Sequence, residues 1–298
     1  MLGRIMDATL IVNPFSTNVT EQRLREVESV LAPARTILTE RPGHATELAA
    51  ETAGTEAIVV YGGDGSANEV LNGLDTDIPV GFLPGGGTSV IARALGLPRD
   101  PVEAAGQLRD ALEHERTRRI SLGRVGGRRF AFSAGLGFAA ELVRSVDGLG
   151  RAADGRRPGD LAYLRVAAGI VARRSGRFDP ALEIEGMGRA AFVLVANCDP
   201  YTYVGRLPLH VAPEARFELG LDLIAPADVG RLDLPRFLRY IVSGRGQTAA
   251  ADIRYGHDLD RIVVTCDRPL SLEVDGEDVG DVEEAVFEAE RNAVSVLI

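Results

Sequence analysis

Over roughly the first third of the chain, short apolar runs alternate with segments whose apolar positions recur at helical spacing. The apolar runs predict buried strands, and the segments between them predict amphipathic helices. The strands are predicted at 8–12, 36–38, 56–61 and 79–83, and the helices at 21–31, 44–51, 66–74 and 89–95. The near-continuous apolar run at 56–61 is typical of a central parallel strand. This alternation predicts a doubly wound α/β domain, with ligands at the carboxyl ends of its strands.

Farther along the chain the pattern becomes richer in strands. Segments 118–125 and 129–133 flank a Gly-Gly pair, which predicts a β-hairpin. Further strand-like runs lie at 181–185, 190–196, 216–224, 261–266, 270–275 and 285–288, with helical patterns near 138–146, 160–174 and 233–243. We therefore expect an α/β domain over 1–118 and a β-rich antiparallel sandwich over 119–298, with about the last ten residues returning to the first domain. The segment 148–159 is predicted to be a mobile loop.

The charge of the chain narrows the classes of partner. With 33 basic and 43 acidic side chains the net charge is −10, which argues against nonspecific binding to nucleic acid. No run of about 18 apolar residues and no signal peptide occur, so we expect a cytoplasmic protein without a transmembrane segment. The two cysteines, Cys198 and Cys266, are expected to be reduced thiols. No Cys/His cluster with the spacing of a zinc site is present.

The strongest candidate for chemistry is the Gly-Gly-Asp-Gly string at 62–65, between a predicted strand and a predicted helix. Glycines at such a turn let the backbone approach a polyphosphate, and the start of the helix adds a favourable dipole. Asp64 would repel phosphate unless a cation lay between them, and Mg²⁺ is the usual cation in such a place. The structural alternative is a tight turn that merely requires glycine.

A second glycine turn, Pro-Gly-Gly-Gly-Thr-Ser at 84–89, follows the next predicted strand. Two such turns at neighbouring strand ends would form two walls of one nucleotide site. The alternative is that Thr88 or Ser89 only caps the following helix.

Four separated motifs make the chain resemble the diacylglycerol kinase catalytic family, which includes bacterial lipid kinases and the sphingosine and ceramide kinases. The motifs are Asn-Pro-Phe-Ser at 13–16, the string at 62–74, the second glycine loop at 83–96, and Asp-Gly-Glu at 275–277. The resemblance implies an ATP-binding α/β domain of the type shared by NAD kinases and diacylglycerol kinases, followed by a β-sandwich domain for the lipid substrate. It implies transfer of the γ-phosphoryl group of ATP to a lipid hydroxyl, with diacylglycerol as the first choice.

The resemblance also assigns roles to residues. Glu277 would be the general base, and Asp64 would face the Mg²⁺-bound phosphates. A positioned carboxylate can accept the proton of a hydroxyl as the bond to phosphorus forms. The residues that would hold ATP are Asn13, Pro14, Phe15, Ser16, Thr17, Thr39, Gly62, Gly63, Asp64, Gly65, Ser66, Ala67, Asn68, Gly86, Gly87 and Thr88. From the residues alone, a hairpin turn is the favoured interpretation of the Asp-Gly step at 275–276, and the resemblance reverses that preference.

Several positions depart from the family pattern. Thr17 stands where the family usually has Gly, and Ser66 replaces the usual Thr. In the second loop, Gly87 stands in the place of Thr and Ser89 in the place of Asn, so Thr88 is our choice for the functional hydroxyl. Leu219 stands where bacterial members carry the Asp of a structural Mg²⁺ site, so that site is not expected to transfer.

Two other functions remain open. An NAD kinase or another kinase of a soluble substrate would share the Gly-Gly-Asp-Gly signature, and an ATP-binding or lipid-binding homologue without activity would share the fold. For a lipid kinase we expect a lipid substrate reached at the membrane surface, on the inner side of the membrane. The lipid itself and the oligomeric state, a homodimer included, are left open. A group of arginines is either a solvated face or a patch for lipid headgroups: Arg151, Arg156, Arg157, Arg173, Arg174 and Arg177.

Overall fold

The computed structural model describes residues 6–51, 54–150 and 158–298. The chain divides into two compact units, one formed by Met1–Ile120 with Asn292–Ile298 and the other by Ser121–Arg291. Most of the segment 148–159, predicted as a mobile loop, lies outside the described residues, as do Arg151, Arg156 and Arg157.

The first unit is built on a parallel sheet. Its elements are β1 (Ala8–Val12), α1 (Glu21–Leu31), β2 (Arg35–Leu38), α2 (His44–Ala50), β3 (Ala57–Gly62), α3 (Asp64–Gly73), β4 (Val80–Pro84), α4 (Val90–Ala94) and α5 (Pro101–Glu113). The strands are ordered β4-β3-β1-β2 and all four run parallel. Strands β1, β3 and β4 are buried along their whole length, which explains their near-continuous apolar sequence. Because the strands run parallel and in register, their carboxyl ends meet at one edge of the sheet.

Helix α5 is an element that the apolar pattern did not predict. Asp100 is its N-cap, and the carboxylate accepts the N–H groups of Val102 and Glu103 at 2.9 and 3.3 Å. Pro101 occupies the first helical position, where its missing N–H costs nothing. The Asp-Pro pair is therefore a signal that could have located this helix.

The second unit is mostly antiparallel. Its elements are β5 (Thr117–Val125), β6 (Arg128–Phe130), β7 (Ser133–Leu136), α6 (Phe138–Asp147), α7 (Asp160–Arg173), β8 (Leu182–Ile184), β9 (Gly188–Ala190), β10 (Val193–Ala196), β11 (Thr202–Val204), β12 (Leu207–Leu209), β13 (Leu221–Pro226), α8 (Leu234–Ser243), β14 (Ile253–Leu259), β15 (Arg261–Val274) and β16 (Glu277–Leu297). The main path of the sheet is β14-β13-β10-β7-β15-β16. Strands β5 and β16 pass from one unit into the other along the chain.

Two differences from the predicted strands have local causes. The runs 261–266 and 270–275 belong to one strand, β15, which stays paired with β16 across a register shift between Thr265 and Leu270. The run 216–224 forms a strand only from Leu221, because the preceding residues form turns held by bonds such as Leu219 N–H to Arg216 O. The predicted fold class, a parallel α/β part followed by a β-rich part, is confirmed.

Among the described residues, no helix is both long and apolar enough to cross a membrane.

Candidate functional site

The first loop of the candidate site follows β1 and is tied to α3. The side-chain Nδ2 of Asn13 donates to Ser66 Oγ at 2.9 Å, and Asn13 Oδ1 accepts the N–H of Phe15 at 3.0 Å. The backbone N–H of Asn13 donates to Tyr61 O at 2.9 Å. Asn13 therefore turns the chain after β1 and fixes the first loop against the glycine loop that follows β3.

The two glycine loops approach each other backbone to backbone. Gly85 N–H donates to Gly62 O at 2.7 Å. A Cβ atom placed on Gly85 would lie 2.9 Å from Gly62 Cα, and one placed on Gly86 would lie 2.8 Å from Gly63 Cα. Real side chains do not tolerate such distances to backbone atoms, so the loops pack this closely only because both positions are glycine.

Helix α3 begins directly after the first glycine pair. Gly63 is its N-cap residue and supplies no side-chain cap. The N–H groups of the first turn of an α-helix have no acceptor inside the helix, and the helix dipole adds positive potential there. Residues 63–65 are partly exposed, so this end of α3 is accessible to an anion.

Asp64 connects the first glycine loop to the helix that follows the second. Its Oδ1 accepts the N–H of Ile91 at 3.1 Å, in the first turn of α4. Ser89 occupies the N-cap position of α4 but makes no side-chain cap; its Oγ accepts the N–H of Gly86 at 3.2 Å. The alternative in which Ser89 caps α4 with its side chain is therefore wrong, because Asp64 provides that bond. The Mg²⁺ role of Asp64 stays a prediction.

Asn18 is a connecting residue that the sequence reasoning missed. Its Nδ2 donates to Gly86 O at 2.7 Å and its backbone N–H donates to Gly85 O at 2.9 Å. Its carbonyl oxygen accepts the hydroxyl of Tyr61 at 3.3 Å. Burial raises the pKa of Tyr61 to about 12, so this hydroxyl remains a donor at neutral pH. An asparagine directly after the Ser-Thr pair at 16–17 was the available signal.

The predicted ATP-binding residues differ in their exposure. Thr39, Ser66, Ala67 and Asn68 are buried, and Thr39 N–H donates to Val12 O at 2.8 Å. The positions that solvent reaches are Asn13, Pro14, Phe15, Ser16, Thr17, Gly63, Asp64, Gly65, Gly86, Gly87 and Thr88. A cavity lined by the first glycine loop, α3, β4 and the start of α4 measures about 10 Å³, room for about one water. A cavity of this size cannot hold a nucleotide.

In the second unit, the Asp-Gly-Glu motif forms the turn between β15 and β16. Asp275 and Gly276 take φ angles of 47° and 75°, as a two-residue hairpin turn requires. The Asp275 carboxylate accepts three backbone N–H groups, from Ala131, Phe132 and Ser133, at 2.7, 3.0 and 3.1 Å. The hairpin interpretation is thus correct for the Asp-Gly step, and Asp275 acts as a clamp on the chain before β7.

Glu277 is the first residue of β16. Its Oε2 accepts a hydrogen bond from Nη2 of Arg128 at 2.5 Å. The side chain of Glu277 is 31% exposed and that of Arg128 is 33% exposed. The guanidinium therefore fixes the orientation of a carboxylate that solvent still reaches. The general-base role of Glu277 stays a prediction.

Glu273 is a buried carboxyl next to this turn, and the sequence reasoning did not identify it. Its Oε2 accepts the N–H of Gly276 at 2.9 Å, while its buried Oε1 has no hydrogen-bond partner in the described part of the chain. Burial, reinforced by the charge of Asp275, raises the pKa of Glu273 to about 8. The protonated form therefore predominates at neutral pH. Only its position two residues before Asp275 could have drawn attention to it.

Comparison with known protein families agrees with the geometry of the loops. Residues 7–125 match the model of the diacylglycerol kinase catalytic domain. A diacylglycerol kinase of Bacillus subtilis (strain 168) is 36% identical over 149 residues, which cover 47% of this chain and 48% of that protein. A probable lipid kinase YegS-like of Chromohalobacter salexigens is 36% identical over 152 residues, 47% of each chain. The chain spans about half the length of the curated relatives it matches.

Solved structures extend the likeness of the fold to nearly the whole chain. A diacylglycerol kinase from Bacillus anthracis str. Sterne superposes with a TM-score of 0.72 at 19% identity, covering 99% of this chain and 97% of that one. An NAD kinase from Archaeoglobus fulgidus in complex with ATP gives 0.52 at 15% identity, covering 98% and 93%. At these identities the structures show the fold alone. The resemblance identified from the sequence motifs is confirmed: residues 7–125 match the diacylglycerol kinase catalytic domain, and the chain is similar to diacylglycerol kinases and lipid kinases.

Proposed function

We propose that this protein is a lipid kinase that transfers the γ-phosphoryl group of ATP to a lipid hydroxyl, with diacylglycerol as the first acceptor to test and phosphatidic acid as its product. The observation that carries the proposal is the packing of the two glycine loops beside the accessible start of α3, within the segment that matches the diacylglycerol kinase catalytic domain. We also propose 1–118, joined by about the last ten residues of the chain, as the ATP-binding domain and the rest of 119–298 as the lipid-substrate domain.

The residues of the first unit suit a polyphosphate. Gly63 and Gly86 approach each other without side chains and are partly exposed, and α3 presents its first-turn N–H groups beside them. ATP would be held by the loop at 13–17, by Thr39, by the residues at 62–68 and by those at 86–88. Mg²⁺ beside Asp64 would neutralise phosphate charge when bound.

Glu277 is the proposed general base. A hydroxyl is a weak nucleophile at neutral pH, and a carboxylate that accepts its proton during attack on phosphorus lowers the barrier. Arg128 holds the Glu277 carboxylate at 2.5 Å, and the Asp275 clamp fixes the turn from which Glu277 projects. Such positioning of an acid-base group is what phosphoryl transfer requires of a protein. The acceptor would be reached at a membrane surface, on its cytoplasmic side.

The test is a phosphoryl-transfer assay with purified protein, Mg²⁺ and labelled ATP. The acceptors are diacylglycerol, a sphingoid base and a polyprenol in detergent micelles, with NAD as the water-soluble acceptor. We expect label in at least one lipid, in an amount that depends on Mg²⁺, and none in NAD. Glu277→Gln should lower the rate of transfer by about 10²- to 10⁴-fold while ATP binding persists.

The ATP-bound NAD kinase with a similar fold supplies the second candidate function. Phosphorylation of NAD with no labelled lipid would establish that candidate in place of the first. ATP binding without label in any acceptor would instead indicate a homologue without activity.

A further inference from the structure

Helix α8 packs against the rest of the second unit through one face. Leu234 and Phe237 pack into the apolar cluster around Ile170 and Phe178, and Phe237 also joins Tyr240 in the neighbouring cluster. These positions recur at the spacing of one helical face. At about 100° per residue, Leu238 and Val242 lie beside this packed face, and Arg239 lies opposite it.

Apolar side chains beside the packed face of α8, and one two residues ahead of the helix, are exposed. Leu232 is 92% exposed, Leu238 63% and Val242 42%. Single exposed apolar side chains are common, but three within eleven residues form a patch of the kind that marks an interaction site.

Positive charge surrounds this patch. Arg231, Arg239 and Arg245 are exposed, and the guanidinium of Arg239 lies 5.2 Å from the ring centroid of Tyr240. The segment 230–247 contains one acidic residue, Asp233, which accepts from Arg236 at 2.9 Å. In a chain of net charge −10, this segment is locally cationic.

We propose that the α8 surface inserts its apolar side chains into the surface of a bilayer that contains anionic lipids. The α8 surface is defined by Arg231, Leu232, Leu238, Arg239, Val242 and Arg245. Leucine and arginine side chains interleaved on one helix suit the boundary of headgroups and acyl chains, where the arginines meet lipid phosphates. The proposal rests on the proposed function for its purpose, because a lipid kinase must reach a bilayer, but binding itself requires neither ATP nor acceptor.

The charge of the α8 surface favours a bilayer over a second copy of this chain as its binding partner. A two-fold contact through the α8 surface would bring the same arginines of both copies together, because such interfaces pair a patch with itself. Like charges in that arrangement repel, whereas anionic lipid is complementary. The arginines near α7 are less available for this purpose, because Arg173 and Arg174 both contact Glu141, at 3.5 and 2.5 Å.

The experiment is co-sedimentation of the full chain with vesicles, without nucleotide. Vesicles of phosphatidylcholine with phosphatidylglycerol are compared with vesicles of phosphatidylcholine alone. The wild type should bind the anionic vesicles, and high salt should weaken the binding. The double variant Leu232→Ser/Leu238→Ser should bind about tenfold more weakly or worse. Arg239→Gln/Arg245→Gln should lose about fivefold per arginine, on anionic vesicles only.

Two valines provide a matched control. Val242→Ser on α8 should weaken vesicle binding, whereas Val30→Ser on α1, where the valine is 37% exposed, should not. Circular dichroism and thermal unfolding should be unchanged in all variants, because the substituted side chains are exposed. Equal binding by the wild type and the leucine variant would overturn the proposal. A dimer that the leucine variant abolishes, with no vesicle binding by the wild type, would replace the bilayer by a second copy.

Failure of this proposal is separable from failure of the proposed function. Label transfer to a lipid in detergent micelles reports the kinase activity without a bilayer. If vesicle binding requires α8 but no lipid is labelled, the docking proposal is supported and the proposed lipid kinase function is wrong. If a lipid is labelled in micelles but the α8 substitutions leave vesicle binding unchanged, only the docking proposal is wrong.

Discussion

In the glycine loops of the first unit, backbone packs against backbone, whereas at the 275–277 turn of the second unit, side chains hold backbone. The loops meet through the bond from Gly85 N–H to Gly62 O at 2.7 Å and through positions where a Cβ would collide. The turn is held by the Asp275 carboxylate, which accepts N–H groups from the chain before β7. The loops require positions without a Cβ where they meet, whereas the turn requires a buried carboxylate.

This difference determines how each region should fail. Adding a single carbon atom should damage the loops, since the obstacle would be backbone that cannot rotate away. Removing a charge or an acceptor should damage the turn, since buried N–H groups would lose their partners. Substitutions of each kind therefore test whether the two regions have the separate roles proposed for them.

The largest expected effect is the loss of phosphoryl transfer on substitution of Glu277, in the 275–277 turn. Glu277→Gln keeps the size of the side chain but removes the carboxylate that would accept the proton of the acceptor hydroxyl. We expect phosphoryl transfer to fall by about 10²- to 10⁴-fold. Affinity for ATP, measured by isothermal titration calorimetry, should change little, because the proposed nucleotide contacts belong to the first unit.

The variant to compare with Glu277→Gln is at Asp64, in the first glycine loop. Asp64→Asn should reduce both transfer and the Mg²⁺-dependent part of ATP affinity, because the proposed role of Asp64 is beside the phosphates. If Glu277→Gln retained full transfer and Asp64→Asn alone abolished it, the base would have to be sought in the first unit. The division of roles between the two regions would then be broken.

The next effect is on stability. Asp275→Asn removes the charge that three backbone N–H groups share and leaves one acceptor oxygen in its place. Unfolding by denaturant should become easier by about 2–3 kcal/mol. Glu277→Gln is the neighbouring control, and it should cost less than about 1 kcal/mol because its ion pair with Arg128 is partly exposed. Equal losses from the two variants would show that Asp275 is not a clamp.

The same contrast explains how far the sequence could lead. The glycine loops could be predicted because close backbone approach demands glycine, and glycine is visible as a letter in the sequence. The alternation of apolar runs likewise predicted the parallel sheet. The partners of Asp275 and Glu277 could not be predicted, since Ala131 and Arg128 lie well over a hundred residues away in the chain. The buried state of Glu273 was hidden for the same reason.

The third prediction concerns pH. The folded pKa of Glu273, about 8, lies above its ordinary value of 4.5, so the folded state holds a proton that the unfolded chain releases. The stability contributed by this proton is fully present below about pH 4.5 and is lost as pH rises toward 8. Glu273→Gln keeps an acceptor for Gly276 N–H and does not titrate. Relative to the wild type, it should therefore gain up to about 1.4 kcal/mol of stability per pH unit in this window.

Denaturant unfolding of the wild type and Glu273→Gln at several pH values between about 5 and 8 measures this difference. Glu283→Gln, at an exposed glutamate on β16, is the control, and its curve should run parallel to that of the wild type. A parallel curve for Glu273→Gln as well would mean that the Glu273 carboxyl is already ionised in the folded protein.

The smallest expected effect is a loss of ATP affinity on substitution of a glycine in the loops. Gly86→Ala places a Cβ about 2.8 Å from Gly63 Cα, so the two loops must separate by several tenths of an ångström. Affinity for ATP should fall by about tenfold, since positioned backbone donors tolerate little displacement. Gly106→Ala on α5 adds the same carbon in the same unit, but its nearest neighbour is a Val30 methyl at 3.9 Å, an ordinary contact. Because alanine favours a helix over glycine, that control should raise stability and leave ATP affinity unchanged. Unchanged affinity in Gly86→Ala would mean that the glycines serve only the packing of the loops, as the tight-turn alternative states.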